Sequence, residues 1–143
     1  VVELKTGEKV RVYNTHLDCF LPQARDFGLK KLGQFIEKNR KEEKLPIIIM
    51  GDFNATPDSK IIKKFAAGKY STNRFVAVQE VKKELYSKST MSSFKGKEKG
   101  LHIDYIFVSE DLEIVDVDIV KDNINGKYPS DHYPLIADIK IKK

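Results

Sequence analysis

The sequence is poor in the residues that mark several specialised classes of protein. It contains no tryptophan and one cysteine, Cys19, so it cannot form an internal disulfide. No apolar run approaches the roughly 20 residues that a membrane-spanning helix needs. We therefore expect no membrane span, while the cellular compartment stays open. Cys19 is expected to be a small apolar filler beside Phe20 and Leu21 rather than a nucleophile.

The composition is that of a folded domain. Hydrophobic residues make up 41% and charged residues 33% of the chain, which indicates a globular protein rather than a disordered tail. The net charge of +5 is compatible with an anionic partner such as nucleic acid. The lysines are scattered along the chain, however, and do not predict one basic groove. No repeat or low-complexity linker interrupts the sequence, so we expect a single domain.

Apolar spacing predicts an alternation of strands and helices. A hairpin is expected at the start, with strands at Val1–Lys5 and Lys9–Tyr13 around a glycine turn. Between Pro22 and Pro46, apolar residues recur at helical spacing and charged residues fill the opposite face, which predicts an amphipathic helix. This helix leads into an apolar strand, Leu45–Met50, so the three elements form a strand, helix, strand unit.

The second half of the chain is less regular. Thr56 is predicted to cap a short helix that has Pro57 in its first turn and ends through Ala67 at a glycine. Two interpretations stay open for the next region, a strand at Phe75–Val78 or a helix over Val78–Tyr86. Alternating apolar residues predict two later strands, Ile103–Val108 and Leu135–Ile141.

Polar residues interrupt or end the apolar strands in four motifs, which are Asn14–Asp18, Ile47–Asn54, His102–Ser109 and Ser130–Pro134. Together the motifs resemble those of the endonuclease/exonuclease/phosphatase family, the deoxyribonuclease I-like metal-dependent phosphodiesterases, and are most similar to bacterial members. The resemblance covers nearly all of the chain. It implies an α/β fold that is part of a four-layered α/β/β/α sandwich.

The same resemblance implies that the family domain has a further part. In that family a half-domain precedes the four motifs and supplies an Asn and a Glu that hold the catalytic metal. Residues 1–143 are therefore expected to be one domain that is the C-terminal portion of the family domain, and the missing N-terminal half is its expected partner. A self-contained small protein is the alternative, since 143 residues can form one compact domain.

The resemblance assigns catalytic roles to side chains in the first two motifs. It implies that Asp52 orients or deprotonates the attacking water and that Asn54 contacts a phosphate oxygen or the metal. His16 resembles a second active-site histidine that contacts phosphate or donates a proton. The alternatives are that Asp52 and Asn54 only cap the turn before Thr56, and that His16 is a hydrogen-bonded histidine at a strand end.

A second pair of side chains comes from the last two motifs. His132 is the strongest catalytic candidate, and Asp104 is expected to accept a hydrogen bond from its ring and so fix its tautomer. The alternatives are a structural histidine and a buried carboxylate paired with an Arg or Lys. Asp104 lies between Ile103 and Tyr105, so burial without any partner would be costly.

The expected cofactor is Mg²⁺ or Mn²⁺, because carboxylate and amide oxygens are hard ligands. One cysteine and three histidines offer no tetrahedral zinc site. The resemblance implies that the metal ligands in this chain are Asp131, Asp52, Asn54 and His132.

Substrate phosphate is expected to contact Asn54, His16 and Arg25, whose guanidinium is a forked donor. Arg25 follows an Ala at the start of the predicted helix, as in bacterial members of the family, although pairing with Asp26 is an alternative. The stretch Thr90–Phe94 departs from the Thr-Phe-His-Gly-Phe-like pattern of those relatives, so its substrate contacts are undefined.

From these residues we predict one function and keep one alternative interpretation. The function is a metal-dependent phosphoester hydrolase, a nuclease, phosphodiesterase or phosphatase, that uses a His-Asp pair and an Asp-activated water. The alternative is a catalytically incomplete nucleic-acid or phosphate-binding fragment that needs its N-terminal half. The motifs leave the substrate open among DNA, RNA, lipid and small phosphoesters, because the family places the same central residues behind different substrate loops.

Overall fold

The structure, a computed structural model, describes residues 1–143. Helices and strands are interspersed along the chain, which is the mixed α/β fold that the sequence predicts. Two 3₁₀ helices, Val78–Val81 and Lys83–Ser87, lie between the fourth and fifth strands. In chain order the remaining elements are β1 Val2–Glu3, β2 Lys9–His16, α1 Pro22–Glu42, β3 Ile47–Asp52, α2 Lys60–Ala66, β4 Val76–Ala77, β5 Asp104–Val108, β6 Leu112–Ile119 and β7 Leu135–Ile141.

Five strands form one sheet in the order β1, β2, β3, β5, β4, and β6 and β7 form a second sheet. Strands β2 and β3 are parallel, whereas every other pair is antiparallel. A parallel pair needs a long crossover between its strands, and α1 is that crossover. The predicted hairpin and the predicted strand, helix, strand unit are both confirmed. Neither α-helix has the length and apolar character that crossing a membrane requires.

The central strands β3 and β5 of the five-stranded sheet are packed on both faces. Successive side chains of a strand point to opposite faces. In β3, Ile47 and Ile49 pack with the helices on one face, whereas Ile48 packs toward β6 and β7 on the other. In β5, Phe107 and Val108 divide between the two cores in the same way. Helices, five-stranded sheet and two-stranded sheet therefore form three stacked layers, as expected for part of a four-layered sandwich.

The loop before α1 is fixed by an aspartate. The Asp18 carboxylate accepts hydrogen bonds from the backbone N–H groups of Phe20 and Leu21, and Pro22 then opens the helix. This turn holds the loop at the surface, where Cys19 is exposed. The prediction that Cys19 fills apolar space beside Phe20 and Leu21 is therefore wrong, since both neighbours are exposed as well.

The short helix α2 begins later than predicted. Its N-cap is Ser59, whose hydroxyl accepts a hydrogen bond from the Ile62 N–H. Thr56 lies one turn earlier, where its hydroxyl donates to Asp58 and its carbonyl accepts from the Ser59 N–H. The predicted Thr56 cap is wrong because the Pro57 turn is completed before helical hydrogen bonding starts. Gly68 follows the helix with a left-handed φ of +73°, as the predicted glycine ending requires.

Two later segments differ from simple periodic patterns. Both interpretations of the region after Phe75 are partly present, since a two-residue strand leads directly into 3₁₀ helices. Strand β6 was not predicted at all. An irregularity in its pairing with β7, between Ile114 and Asp116, breaks the alternation of inward and outward side chains. Without a constant period of two, the segment carries no clear strand signal.

Candidate active site

The strand ends of the large sheet bring three candidate side chains together. Strands β2 and β3 are parallel, and their carboxyl-terminal residues His16 and Asp52 are register partners. Strand β5 runs the other way and begins at Asp104, which is the register partner of Asp52 on its other side. His132 precedes β7 and contacts the same cluster. The fold thus places four of the predicted catalytic residues at one end of the sheet.

His132 and Asp104 form a hydrogen-bonded pair. The ring atom Nδ1 of His132 lies 2.8 Å from Oδ2 of Asp104, within the range that the predicted pairing requires. A carboxylate only accepts, so Nδ1 donates, and the opposite ring atom Nε2 lies 3.9 Å from Oδ2 of Asp52. Burial lowers the pKa of His132, but the hydrogen bond to Asp104 and the surrounding carboxylate charges outweigh burial and raise it overall. The pair therefore favours a charged imidazolium.

Asp52 is the most enclosed carboxylate of the cluster, with 15% of its side chain exposed. Its Oδ1 accepts a hydrogen bond of 2.7 Å from the Asn54 backbone N–H, and its Oδ2 lies 3.4 Å from Nε2 of His16. Burial is the main cause of a raised pKa at Asp52; the Asn54 hydrogen bond opposes it and the Asp104 charge adds to it. One oxygen is thus held by the turn, while the other faces both histidines.

Asn54 connects this cluster to a neighbouring cavity. Its side-chain amide donates to the Leu17 carbonyl at 2.8 Å, and its backbone adopts a left-handed φ of +47°. It also lines a cavity of about 450 Å³ together with Arg25 and Lys60. The Nη1 atom of Arg25 donates a hydrogen bond of 2.9 Å to the Asp18 carbonyl oxygen. The remaining N–H groups of the guanidinium are available for other partners. Sequence reasoning missed Lys60, because a lysine in a lysine-rich helix carries no distinguishing local signal.

Asp131 stands apart from the carboxylates of the cluster. Its side chain is half-buried, and the hydrogen bond that it accepts comes from the hydroxyl of Ser130. Its backbone carbonyl accepts from the N–H groups of Ser92 and Ser93. Its charge nevertheless contributes to the raised pKa of His132. A direct metal contact by Asp131 stays a prediction.

The group with spacing suited to a metal ion is Asp52, Asp104 and His132, whose ligand atoms all lie within 4.8 Å of one another. Two of these three residues were predicted ligands, whereas Asp104 was predicted only to orient the histidine. Its Oδ2 is already bonded to His132, which leaves the other oxygen for a cation. Carboxylate oxygens are the ligands that Mg²⁺ and Mn²⁺ prefer, so the donor set fits these ions.

A buried polar network behind the site was not predicted. His102 is buried, with Nδ1 3.0 Å from the Lys88 carbonyl and Nε2 2.9 Å from the Gln79 side-chain amide. A carbonyl can only accept, so Nδ1 carries the proton and Nε2 accepts from Gln79. Burial lowers the pKa of His102, in agreement with this neutral form. The same Gln79 amide donates to the Asp104 carbonyl at 3.0 Å, which links the network to the site.

Comparison with known proteins agrees with this geometry. The profile of the Endonuclease/Exonuclease/phosphatase family matches residues 5–132. The chain belongs to this family. The family includes nucleases and phosphatases. The family predicted from the four motifs is therefore confirmed.

Individual relatives cover the chain almost completely. The Ccr4 subunits of the CCR4-Not complex from Kluyveromyces lactis and Debaryomyces hansenii, named as 3'-5'-exoribonucleases, are each 27% identical to it over 98% of its length. The chain corresponds to 22% and 21% of those two proteins. The 143 residues therefore span about a fifth of the curated relatives that they match.

Solved structures share the fold. A mannosyl-6-phosphatase from Bacteroides thetaiotaomicron superposes with a TM-score of 0.80 at 20% identity, over 95% of this chain and 53% of that one. The human Nocturnin catalytic domain superposes with a TM-score of 0.73 at 24% identity, over 96% of this chain and 49% of that one. At these identities the likeness shows the deoxyribonuclease I-like fold alone. The chain spans about half of each structure.

Proposed function

We propose that this chain carries the acid-base side chains of a metal-dependent phosphoester hydrolase, with Asp52 acting on water and His132 acting on phosphate. The observation that carries the proposal is the convergence of Asp52 with the hydrogen-bonded pair of His132 and Asp104 at one sheet edge. Hydrolysis of a phosphoester needs an activated water and stabilisation of charge on the nonbridging oxygens. These three side chains offer a base and a charged donor a few ångströms apart.

His132 is suited to be the donor. Asp104 holds its Nδ1 proton, so Nε2 is the atom that faces the cluster. The raised pKa, with the Asp104 hydrogen bond overcoming burial, favours the protonated ring. In this form Nε2 donates to a nonbridging phosphate oxygen, and that donation gains strength as negative charge develops there.

Asp52 is suited to orient the water and to accept its proton. The Asn54 backbone N–H fixes Oδ1, which leaves Oδ2 as the free acceptor. Burial raises the pKa of Asp52, and a raised pKa makes its carboxylate a better base than an exposed one. His16 lies 3.4 Å from the same oxygen and is placed to contact a phosphate oxygen or to return a proton.

A divalent cation, Mg²⁺ or Mn²⁺, would be held by the carboxylates of Asp52 and Asp104, with His132 next to it; further contacts by Asn54 and Asp131 stay predictions. When bound it supplies positive charge that offsets the charge of the phosphate. Mg²⁺ commonly keeps several waters and takes only one or two carboxylates from a protein, so this small ligand set is sufficient to locate it. In addition, we propose that residues 1–143 act together with an N-terminal half of the family domain, which contributes its Asn and Glu.

The substrate class that we propose is a nucleic-acid strand. Three observations support this choice: the similarity to Ccr4 exoribonucleases, the net charge of +5, and the cavity beside Asn54 that holds Arg25 and Lys60. A phosphate adjacent to the one that is cleaved would meet these two cations, whereas a small phosphomonoester has no second phosphate to place there.

The experiment is a hydrolysis assay with single-stranded RNA, single-stranded DNA and a phosphomonoester. It uses the 143-residue chain and a chain extended upstream of Val1 through the family's Asn and Glu. We expect the extended chain to be active with Mg²⁺ or Mn²⁺ and the shorter one to be weak. His132→Ala and Asp52→Ala are each expected to reduce kcat by about 100-fold or more. The control is Glu113→Ala, which removes an exposed carboxylate from β6 and should leave kcat unchanged.

The substrate class is tested by a second pair of variants. Arg25→Ala with Lys60→Ala should raise KM for RNA and lessen its salt dependence, while a Lys95→Ala, Lys99→Ala double variant in an exposed loop should not. Unchanged turnover of the phosphomonoester in both double variants would support the assignment of Arg25 and Lys60 to a second phosphate. An extended chain that binds RNA but hydrolyses no phosphoester would overturn the hydrolase proposal in favour of a binding module.

A further inference from the structure

The segment Thr90–Ser92 contacts both parts of the chain that carry His132 and Asp104. The first of its residues, Thr90, is fully buried. Its hydroxyl oxygen accepts hydrogen bonds from the backbone N–H groups of Ile103 at 3.0 Å and Asp104 at 3.2 Å. Both N–H groups lie where β5 begins, so the Thr90 side chain holds the backbone from which the Asp104 carboxylate projects.

The Thr90 hydroxyl accepts hydrogen bonds that a neighbouring strand would otherwise accept at this edge of β5. Strand β4 pairs with β5 only at Phe107 and Val108, so the edge of β5 at Asp104 is not covered by β4. An uncovered strand edge leaves backbone N–H groups in need of acceptors. Thr90 supplies that acceptor to Ile103 and Asp104 with one oxygen atom.

The backbone of the same segment holds the other partner. The Thr90 carbonyl accepts a hydrogen bond of 2.7 Å from the Tyr133 N–H, and Met91 forms an isolated bridge with His132. Two residues further on, the Ser92 hydroxyl donates to the Ser130 carbonyl at 3.1 Å. Thr90 is thus bonded to Asp104, one member of the pair, and to Tyr133, the neighbour of His132, the other member.

We propose that Thr90 is a positioning residue that sets the hydrogen bond between Asp104 and His132; the inference rests on the proposed function only for its catalytic consequence. Thr90 is fully buried, and its hydroxyl and carbonyl are bonded to the backbone of Ile103, Asp104 and Tyr133. Its effect on hydrolysis therefore passes through His132. A displacement of about 1 Å in a catalytic group lowers the rate by about 100-fold.

A neighbouring hydroxyl provides a matched control. Ser89 is also fully buried, and its hydroxyl contacts the backbone of Met91 and Leu101. It has no hydrogen bond to Asp104 or to Tyr133. Ser89→Ala therefore removes a buried hydroxyl from the same region and leaves the hydrogen bonds of Thr90 to Asp104 and Tyr133 in place. Thr90→Ser keeps the hydroxyl while removing only a methyl group.

The test reads the tautomer of His132 by nitrogen NMR in the 143-residue chain, in EDTA and at a pH above the pKa of His132. Asp104 should hold the proton on Nδ1 in the wild type, in Thr90→Ser and in Ser89→Ala. In Thr90→Val the ratio of the Nδ1–H form to the Nε2–H form should fall by about tenfold, the effect of losing a hydrogen bond of ordinary strength. Loss of stability alone would not change this ratio.

The outcomes separate this inference from the proposed function. An unchanged tautomer in folded Thr90→Val, or an equal change in Ser89→Ala, overturns the positioning role, and it does so without reference to hydrolysis. If Thr90→Val does not fold, Thr90→Ala decides, because it also removes the hydroxyl that accepts from the Ile103 and Asp104 N–H groups. A reduced Nδ1–H population then supports the inference, and an unchanged one overturns it.

Discussion

Gly51 is the residue at which a single methyl group should do the most damage to the alignment of the active-site strands. It precedes Asp52 in β3 and is the register partner of Thr15, which precedes His16 in β2. Its φ of +140° is a conformation that favours glycine. A Cβ atom built there would overlap the Thr15 carbonyl oxygen and lie 2.9 Å from its carbonyl carbon and 3.0 Å from Oδ1 of Asn14.

The cost of Gly51→Ala follows from two contributions. A side chain in this backbone conformation costs about 1 to 3 kcal/mol. The overlap is with backbone rather than with a flexible side chain, so β2 and β3 must separate near Thr15, and two weakened hydrogen bonds add about 1 to 3 kcal/mol. We therefore expect Gly51→Ala to lower the free energy of unfolding by about 2 to 6 kcal/mol, a large part of the 5 to 15 kcal/mol typical of a domain.

The assay is urea unfolding followed by circular dichroism, with Gly7→Ala as the control. Gly7 also has a positive φ, +83°, but a Cβ there meets no atom within 4 Å. Gly7→Ala should therefore cost about 1 to 2 kcal/mol, the conformational contribution alone. A Gly51→Ala variant that is no less stable than Gly7→Ala, with an unchanged m-value, would show that the close approach of the two strands is not the constraint.

Three further results are expected. Asp104→Asn should lower the pKa of His132, because the Asp104 hydrogen bond and charge offset burial and raise it in the native chain. Since the folded pKa lies above the unfolded one, the stabilisation by His132 is complete below the unfolded pKa and is lost as pH rises through the folded pKa. Urea unfolding between about pH 6 and pH 8 should show this loss in the native chain and much less of it in Asp104→Asn; equal slopes would contradict it. Phe53→Ala should lower the free energy of unfolding by about 3 to 5 kcal/mol, because its buried ring lies 5.3 to 5.5 Å from three other aromatic rings; thermal unfolding would measure this, and a change below about 1 kcal/mol would refute it. Mg²⁺ at about 100 times its Kd should raise the free energy of unfolding by about 2.7 kcal/mol, EDTA should reverse this, and Asp52→Ala should abolish it.

The sequence alone determined the family and most regular elements, and it led to the proposed reaction class. Motifs such as Ile47–Asn54 and Ser130–Pro134 are local in the chain, and their residue types reflect chemistry that does not depend on distant packing. The helix after Pro22 has a constant period, and the strand ending at Asp52 contains a short continuous apolar run, so both could be predicted from the local sequence. Elements without a constant period were missed, as the irregular pairing of β6 at Ile114 shows.

Only the tertiary structure decided how these pieces meet. His132 and Asp104 are 28 residues apart, and their 2.8 Å hydrogen bond depends on two sheets and on Thr90 between them. Likewise, the exposure of Cys19 is seen only in the folded chain, where the turn held by Asp18 leaves its loop at the surface. Chain periodicity reports which face of an element is apolar, but it carries no information about which polar atom fills an uncovered strand edge. That is a property of contacts between segments, and it exists only once the chain has folded.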